Sequence, residues 1–169
     1  MQPDDPTPAL PIGTLLGIDY GSVRVGLALC DRGQTIAAPF QLLQRQSSSE
    51  EAVLYQNLVK QERIVGIVLG LPVHMSGTES AKSKEVRRYG TWLSKITGLP
   101  VVYHDERYSS TLAWNALQAG GLKASQRKKQ LDKVAAQMIL QSFLDSLRNP
   151  DVRSGVESLD NEPTTSTSE

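Results

Sequence analysis

The chain has 169 residues, 39% of them hydrophobic and 21% charged, with 18 basic against 18 acidic side chains. That length suits one domain with a moderate core, the lone Cys30 excludes an intrachain disulfide, and nothing near it has a metal-ligand spacing. The sequence shows no signal peptide and no apolar stretch of spanning length, so a soluble, cytoplasmic protein without a membrane partner is expected.

Residues 1–12 are proline-rich and polar and read as a disordered segment; residues 150–169 lack an apolar period and read as a flexible acidic tail. The two ends hold seven acidic residues and one basic one, so the intervening domain, residues 13–149, carries 17 basic and 11 acidic residues. Such an excess permits a polyanionic partner.

Within that domain, residues 15–20 and 23–30 read as two strands joined by a tight turn at Gly21-Ser22. Asp31-Arg32-Gly33 is a second turn, leading to a third strand over residues 35–43. The run Ser47-Ser48-Ser49-Glu50-Glu51 looks like a helix cap with acidic residues in the first turn. The helix it opens is expected to carry Val53, Leu54 and Leu58 toward the core. Residues 64–70 are nearly all apolar, as in a parallel strand buried on both faces. A helix over residues 79–96 follows, with Val86, Tyr89, Leu93 and Ile96 on one stripe, then a strand over residues 99–103. Ser109 or Ser110 caps a further helix ending at Gly120-Gly121. The last helix repeats Leu131, Val134, Ala135, Met138, Ile139, Phe143 and Leu147 at helical spacing. The order βββαβαβαα is that of an α/β protein, an antiparallel meander feeding a five-stranded mixed sheet.

In such sheets, sites form beyond the carboxyl ends of the parallel strands. Asp19 closes the first strand, Gly70-Leu71-Pro72 the fourth and His104-Asp105-Glu106-Arg107 the fifth, so all three are expected on one rim. Asp132, near the start of the last helix and one residue off its stripe, has Ala135 and Ala136 at i+3 and i+4. Small residues there let a helix pack close to the sheet and deliver the carboxylate to the rim. Asp19 and Asp132, with Asp105 or Glu106, then make a carboxylate cluster of the kind that holds Mg²⁺ or Mn²⁺ for phosphodiester chemistry. An unpaired buried carboxylate costs several kcal/mol, about the size of a whole domain's margin, which is why a functional reading of Asp19 outweighs a packing one. Each residue also has a plainer reading. Asp19 caps a turn, Asp105 bonds to its own turn, and Asp132 answers a helix dipole.

Four segments in order resemble the YqgF family (also called RuvX) of RNase H-like proteins. They are Gly17-Ile18-Asp19-Tyr20-Gly21-Ser22-Val23-Arg24-Val25-Gly26, Gly70-Leu71-Pro72 through Gly77-Thr78-Glu79, Asp105-Glu106-Arg107, and Asp132-Lys133-Val134-Ala135-Ala136. The family is described both as Holliday junction resolvases and as pre-16S rRNA nucleases. The resemblance implies the RNase H-like fold, with Asp19, Glu106 and Asp132 as catalytic, metal-binding carboxylates. It also implies a role in trimming the 5′ end of the small-subunit rRNA precursor. Ser76 departs from the family pattern, which has aspartate before the Gly-Thr-Glu run.

Around this centre, Arg24 and Arg107 either hold phosphates or neutralise the neighbouring carboxylates. Lys128 and Lys129 belong to a basic stretch with Lys123, Arg127 and Lys133 that tracks phosphates or is simply a solvated face. Thr78 and Thr111 are candidate phosphate contacts, Thr78 also a helix cap. Lys82, Lys84, Arg87 and Arg88 read as a solvated patch, and Trp92 and Trp114 as packing residues; His74 and His104 are available as acid–base groups. The resulting expectation is a metal-dependent nuclease acting in ribosome biogenesis, on pre-16S rRNA free or in a pre-ribosomal particle. Its rivals are a resolvase of branched DNA, an actin-like nucleotide phosphatase and a non-catalytic nucleic-acid-binding module. Monomer and homodimer both fit the sequence.

Overall fold

The computed structural model describes residues 9–72, 79–105 and 124–148, in backbone alone at residues 124–130, 132 and 133. In chain order the elements are β1 (Thr14–Asp19), β2 (Arg24–Cys30), β3 (Ala37–Gln44), α1 (Ser48–Glu62), β4 (Ile64–Leu71), α2 (Ala81–Thr97), β5 (Val101–Asp105) and α3 (Ala124–Arg148). The helix expected after Ser109 or Ser110 lies outside the described residues. One five-stranded sheet forms in the order β3-β2-β1-β4-β5. β1 pairs antiparallel with β2 and parallel with β4, β2 antiparallel with β3, and β4 parallel with β5. The five-stranded mixed sheet expected from the sequence is thus present, with β1 at its centre.

Helix boundaries follow from capping chemistry. The Ser47 side chain accepts from the Glu50 backbone and the Glu50 carboxylate accepts from the Ser47 N–H at 3.1 Å, a reciprocal capping box at the start of α1. Arg63 ends that helix at φ 53°, its N–H returning to the Val59 carbonyl. Ser80 caps α2, accepting from the Ser83 N–H at 3.0 Å, so the helix opens at Ala81 and not at Glu79. β3 begins at Ala37 and not at Thr35, because the N–H groups of Thr35 and Ile36 both donate to Asp31 Oδ1 at 2.7 Å and leave the ladder.

The sheet is sandwiched. One face packs Leu16, Ile18, Leu27, Ile67 and Leu69 against Tyr55 and Leu58 of α1 and Val86, Tyr89 and Leu93 of α2. The other packs Leu15, Ala28, Val68 and Val102 against Ala136, Ile139, Leu140, Phe143 and Leu144 of α3. Two helix faces differ from the periodicity. Val53 is 58% exposed, because the inward line of α1 runs through Glu51, Tyr55 and Leu58. Glu51 is tolerated there because Arg45, arriving from the end of β3, donates to it at 2.7 Å. Leu147 is 48% exposed, since the stripe of α3 turns through Leu140 and Leu144 instead.

Candidate active site

Asp19 is the last residue of β1, half-buried at the carboxyl rim. Strand alternation decides its face: Leu16 and Ile18 join the α1/α2 core, Leu15 joins the α3 core, and Asp19 follows Leu15 and Gly17 onto the α3 side. Its ladder partner on β2 is Gly26. On β4, one step beyond the Ile18–Leu69 pair, its level is that of Gly70, which pairs with His104 of β5. Neither flanking strand therefore contributes a side chain beside the carboxylate.

The close approach of α3 is set at Gly17. A Cβ there would lie 2.7 Å from Leu140 Cβ and 3.1 Å from the Ala136 carbonyl oxygen, so only glycine admits the helix. The far end of α3 is tied to the opposite rim. Arg148 donates to the Gln34 carbonyl at 3.3 Å, and Gln34 Nε2 donates to the carbonyls of Pro11 and Gly13, just before β1 begins. The helix therefore runs against the direction of β1, its amino-terminal half heading for Asp19. Leu144, Leu140 and Ala136, all at 0% exposure, form one line at four-residue spacing, and residue 132 is the next position on it. It sits about 6 Å beyond Ala136, as Asp19 sits about 7 Å beyond Gly17. By helical spacing the backbone at Asp132 follows Ala136 toward the Asp19 end of the sheet. Asp132 is the ninth residue of α3, past the first turn in which a dipole acts, so the dipole gives no account of it.

The choice between Asp105 and Glu106 is narrowed by the same alternation. Tyr103 faces α2, where its hydroxyl donates to the Arg87 carbonyl at 3.2 Å, and Asp105, two residues on and paired with Leu71, shares that side. Asp105 is therefore on the face opposite Asp19. Glu106, Arg107, Thr78 and Thr111 lie outside the described residues, as do His74, Ser76 and Trp114. Lys128 and Lys129 are described in backbone alone, on the amino-terminal part of α3 that approaches the rim. Among the described residues no group of three or more His, Cys, Asp or Glu side chains could hold a metal ion.

Arg24, exposed at the first position of β2, stands on the same rim. The turn before it is tightly closed: a Cβ on Gly21 would lie 2.3 Å from the Arg24 carbonyl oxygen. His104 Nε2 is 2.9 Å from the Ser142 hydroxyl, and its ring meets Phe143 edge-on at 5.8 Å, so the imidazole is held against α3. Arg87 is engaged by Glu79 at 2.7 Å and covers the Tyr103 ring, which fits the solvated reading of its patch. None of the described helices is long and apolar enough to cross a membrane.

An aromatic group beneath Tyr20 has no counterpart in the sequence reading. Tyr20 and Tyr89 lie 4.8 Å apart, Trp92 stacks on Tyr89 at 5.4 Å, and the Tyr55 and Tyr89 hydroxyls are 2.8 Å apart. Burial pushes both phenols well above their ordinary range, and they stay neutral. Arg45 lies 5.1 and 5.0 Å from the Tyr20 and Tyr89 ring centres. Burial works against its charge, but the Glu51 carboxylate outweighs it and holds the guanidinium protonated. A carboxylate on the otherwise apolar line Glu51, Tyr55, Leu58 was the available signal.

A family model described as "RuvX: Holliday junction resolvase" matches residues 13–146. A protein of Rhodopirellula baltica named "Putative pre-16S rRNA nuclease" is 40% identical over 136 residues, covering 80% of this chain and 79% of its own. One of the same name from Paramagnetospirillum magneticum is 38% identical over 132 residues, 78% of this chain and 85% of its own. Among solved structures, T. thermophilus RuvC in complex with a Holliday junction substrate aligns with a TM-score of 0.48 and 16% identity, over 85% of this chain and 97% of that one. By the family match across its folded core and by these relatives, this chain belongs to the RuvX family.

Proposed function

We propose that the protein is a metal-dependent nuclease that hydrolyses phosphodiester bonds and trims the 5′ end of pre-16S rRNA. The observation that carries this reading is the Gly17 contact, which seats α3 on β1 at Leu140 and Ala136 and so supports a helix that leads toward the Asp19 end of the strand. The names of the relatives in Rhodopirellula and Paramagnetospirillum support the choice of substrate. In this reading Asp19, Glu106 and Asp132 are the catalytic carboxylates and bind Mg²⁺ or Mn²⁺. The donors suit such ions, since all three are hard carboxylate oxygens, and Gly26 and Gly70 flank Asp19 without side chains. A bound divalent cation would supply Lewis-acid polarisation of the phosphoryl group and offset the charge growing on the leaving oxygen.

The chain's own groups do the rest. Asp19 is oriented by its place in the β1 ladder, so its oxygens need no reorganisation when substrate arrives. Arg24 on the rim, with Arg107, Lys128 and Lys129, draws the nucleic-acid backbone across the carboxylates, and Thr78 and Thr111 donate hydroxyl hydrogens to phosphate oxygens. Water adds to phosphorus and the P–O3′ bond breaks, leaving a 5′ phosphate and a 3′ hydroxyl. A cytoplasmic enzyme acting on a pre-ribosomal particle fits this assignment.

The family description favours a second substrate, branched DNA cut by a resolvase. Symmetric resolution needs two active sites, hence a homodimer. The deciding experiment incubates the protein with Mg²⁺ or Mn²⁺ and two labelled substrates, the 16S 5′ leader junction and a four-way DNA junction. Cleavage of the RNA alone, reduced at least about 100-fold in Asp19→Asn, is expected. Symmetric cutting of the DNA junction would transfer the assignment to resolvase. Full activity in Asp19→Asn would remove Asp19 from the centre, and binding without cleavage of either substrate would leave a non-catalytic module.

A further inference from the structure

Behind the rim, on the face of the sheet opposite Asp19, a cleft of about 260 Å³ opens between the end of β1, α1 and α2. Its walls include Tyr20, Arg45, Glu51, Arg88, Tyr89 and Trp92. Tyr20 directly follows Asp19, so the cleft begins one residue from the candidate catalytic carboxylate. Three features specify what it can hold. First, its walls are aromatic, and Trp92, half-buried and stacked on Tyr89 at an interplanar angle of 28°, offers a ring already fixed in orientation. Second, its charge balances. Arg45 and Arg88 stand against Glu51 and Glu85, so the cleft selects a neutral ligand and not a phosphate. Third, it contains a buried acceptor. Glu51 is 6% exposed, and both hydrogen bonds it accepts, from Arg45 Nε at 2.7 Å and Gln46 N–H at 2.9 Å, fall on Oε1. Among the described residues no donor reaches Oε2. A buried carboxylate that lines a cleft is a strong acceptor for an incoming N–H.

A planar, uncharged, aromatic ring with N–H donors on its edge satisfies all three conditions. We infer that the cleft is a subsite for one unpaired nucleobase of the substrate strand, stacked on Trp92 and donating to Glu51. The volume of about 260 Å³ holds a single base, and a base that donates to Glu51 through its pairing edge cannot stay paired through that edge. The strand must therefore be single or locally unpaired where it crosses the rim, as in the loops and ends by which proteins read RNA. Base-on-aromatic stacking contributes tolerance of sequence, while the carboxylate favours guanine, whose edge presents two adjacent N–H groups. The inference rests on the nuclease reading for the identity of the strand, and deepens it by fixing the substrate's conformation near the cut.

Trp92 reports on its own site. In a Trp114→Phe protein, with EDTA present so that no cleavage occurs, an unpaired guanosine-containing RNA tetranucleotide is titrated against the remaining tryptophan fluorescence. Saturable quenching by about half or more is expected, with at least about tenfold weaker quenching by the same sequence in a blunt duplex. A second measurement does not depend on that variant: Trp92→Leu in the otherwise unaltered protein should raise KM for a single-stranded leader about tenfold while kcat changes less than about twofold. Silent Trp92 fluorescence under conditions where anisotropy shows the RNA bound, or equal quenching by the duplex, would overturn the subsite. So would an unchanged KM in Trp92→Leu. Quenching without cleavage in Mg²⁺ or Mn²⁺ would instead leave the subsite standing and refute the nuclease reading.

Discussion

At the scale of single residues, Asp31 shows how a short exposed side chain organises structure at a distance. Its carboxylate accepts from the N–H groups of Gly33, Thr35 and Ile36 and from the Thr35 hydroxyl. These donors, the Ile36 N–H foremost, hold its pKa down to about 2. The turn so fixed presents Gln34 at φ 54°, the residue that links the start of β1 to the end of α3. Because the folded pKa lies below the unfolded value of about 3.9, the stabilisation is complete above about pH 4 and is lost as pH falls toward 2. Asp31→Asn should therefore melt a few degrees below the unaltered protein at pH 7, with the gap closing between pH 4 and pH 2 in thermal melts. A gap independent of pH would assign the effect to the shape of the turn and not to its charge. The turn itself was legible in Asp31-Arg32-Gly33; its role as the anchor of a helix more than a hundred residues away was not, because that bond is purely tertiary.

At the scale of elements, the seating of α3 on β1 is the contact on which the candidate site depends. Gly17→Ala would place a methyl 2.7 Å from Leu140 Cβ and 3.1 Å from a backbone carbonyl, neither of which is the mobile end of a side chain. The helix must move, at an expected cost of about 1–3 kcal/mol. Cleavage should fall further than stability, by about tenfold or more, because small displacements of a catalytic group weaken a reaction disproportionately. Gly66→Ala is the matching control: its methyl would meet only the terminal carbon atoms of Leu10 and Leu15, at 3.0 and 3.2 Å, which can give way. It should reduce stability less and leave the rate unchanged in denaturant melts and cleavage assays; equal losses in both variants would mean that α3 does not position the site. Element types and order were legible from periodicity and from caps such as that at Ser47. The facing of α1 was not, because periodicity counts apolar residues and cannot register that Arg45 makes a buried Glu51 acceptable.

At the scale of the whole molecule, the balanced charge conceals a basic excess over residues 13–149 and an acidic one over residues 150–169, which the sequence reads as a tail. Residues 150–169 carry five acidic residues and one basic one, and a tethered polyanion competes with nucleic acid for basic surface. Deleting that tail should tighten RNA binding about tenfold at 50 mM salt, an advantage that shrinks toward 1 M, where the screening length is about 3 Å. Binding isotherms across a salt series test this, and an unchanged affinity at low salt would show that the tail does not meet the basic surface.

The sequence by itself determined the element order, the strand-end position of Asp19 and the membership of a family, since these depend on local pattern and on motifs that survive in one dimension. Only the tertiary structure decided which faces of the sheet Asp19 and Asp105 occupy. That β1 sits at the centre, that α3 runs against it over Gly17, that Asp105 is turned to the far side and that Tyr20 opens onto a cleft all depend on strand alternation combined with the choice of neighbours. A one-residue difference in a strand exchanges its faces, and what lies on each face is supplied by residues distant in sequence.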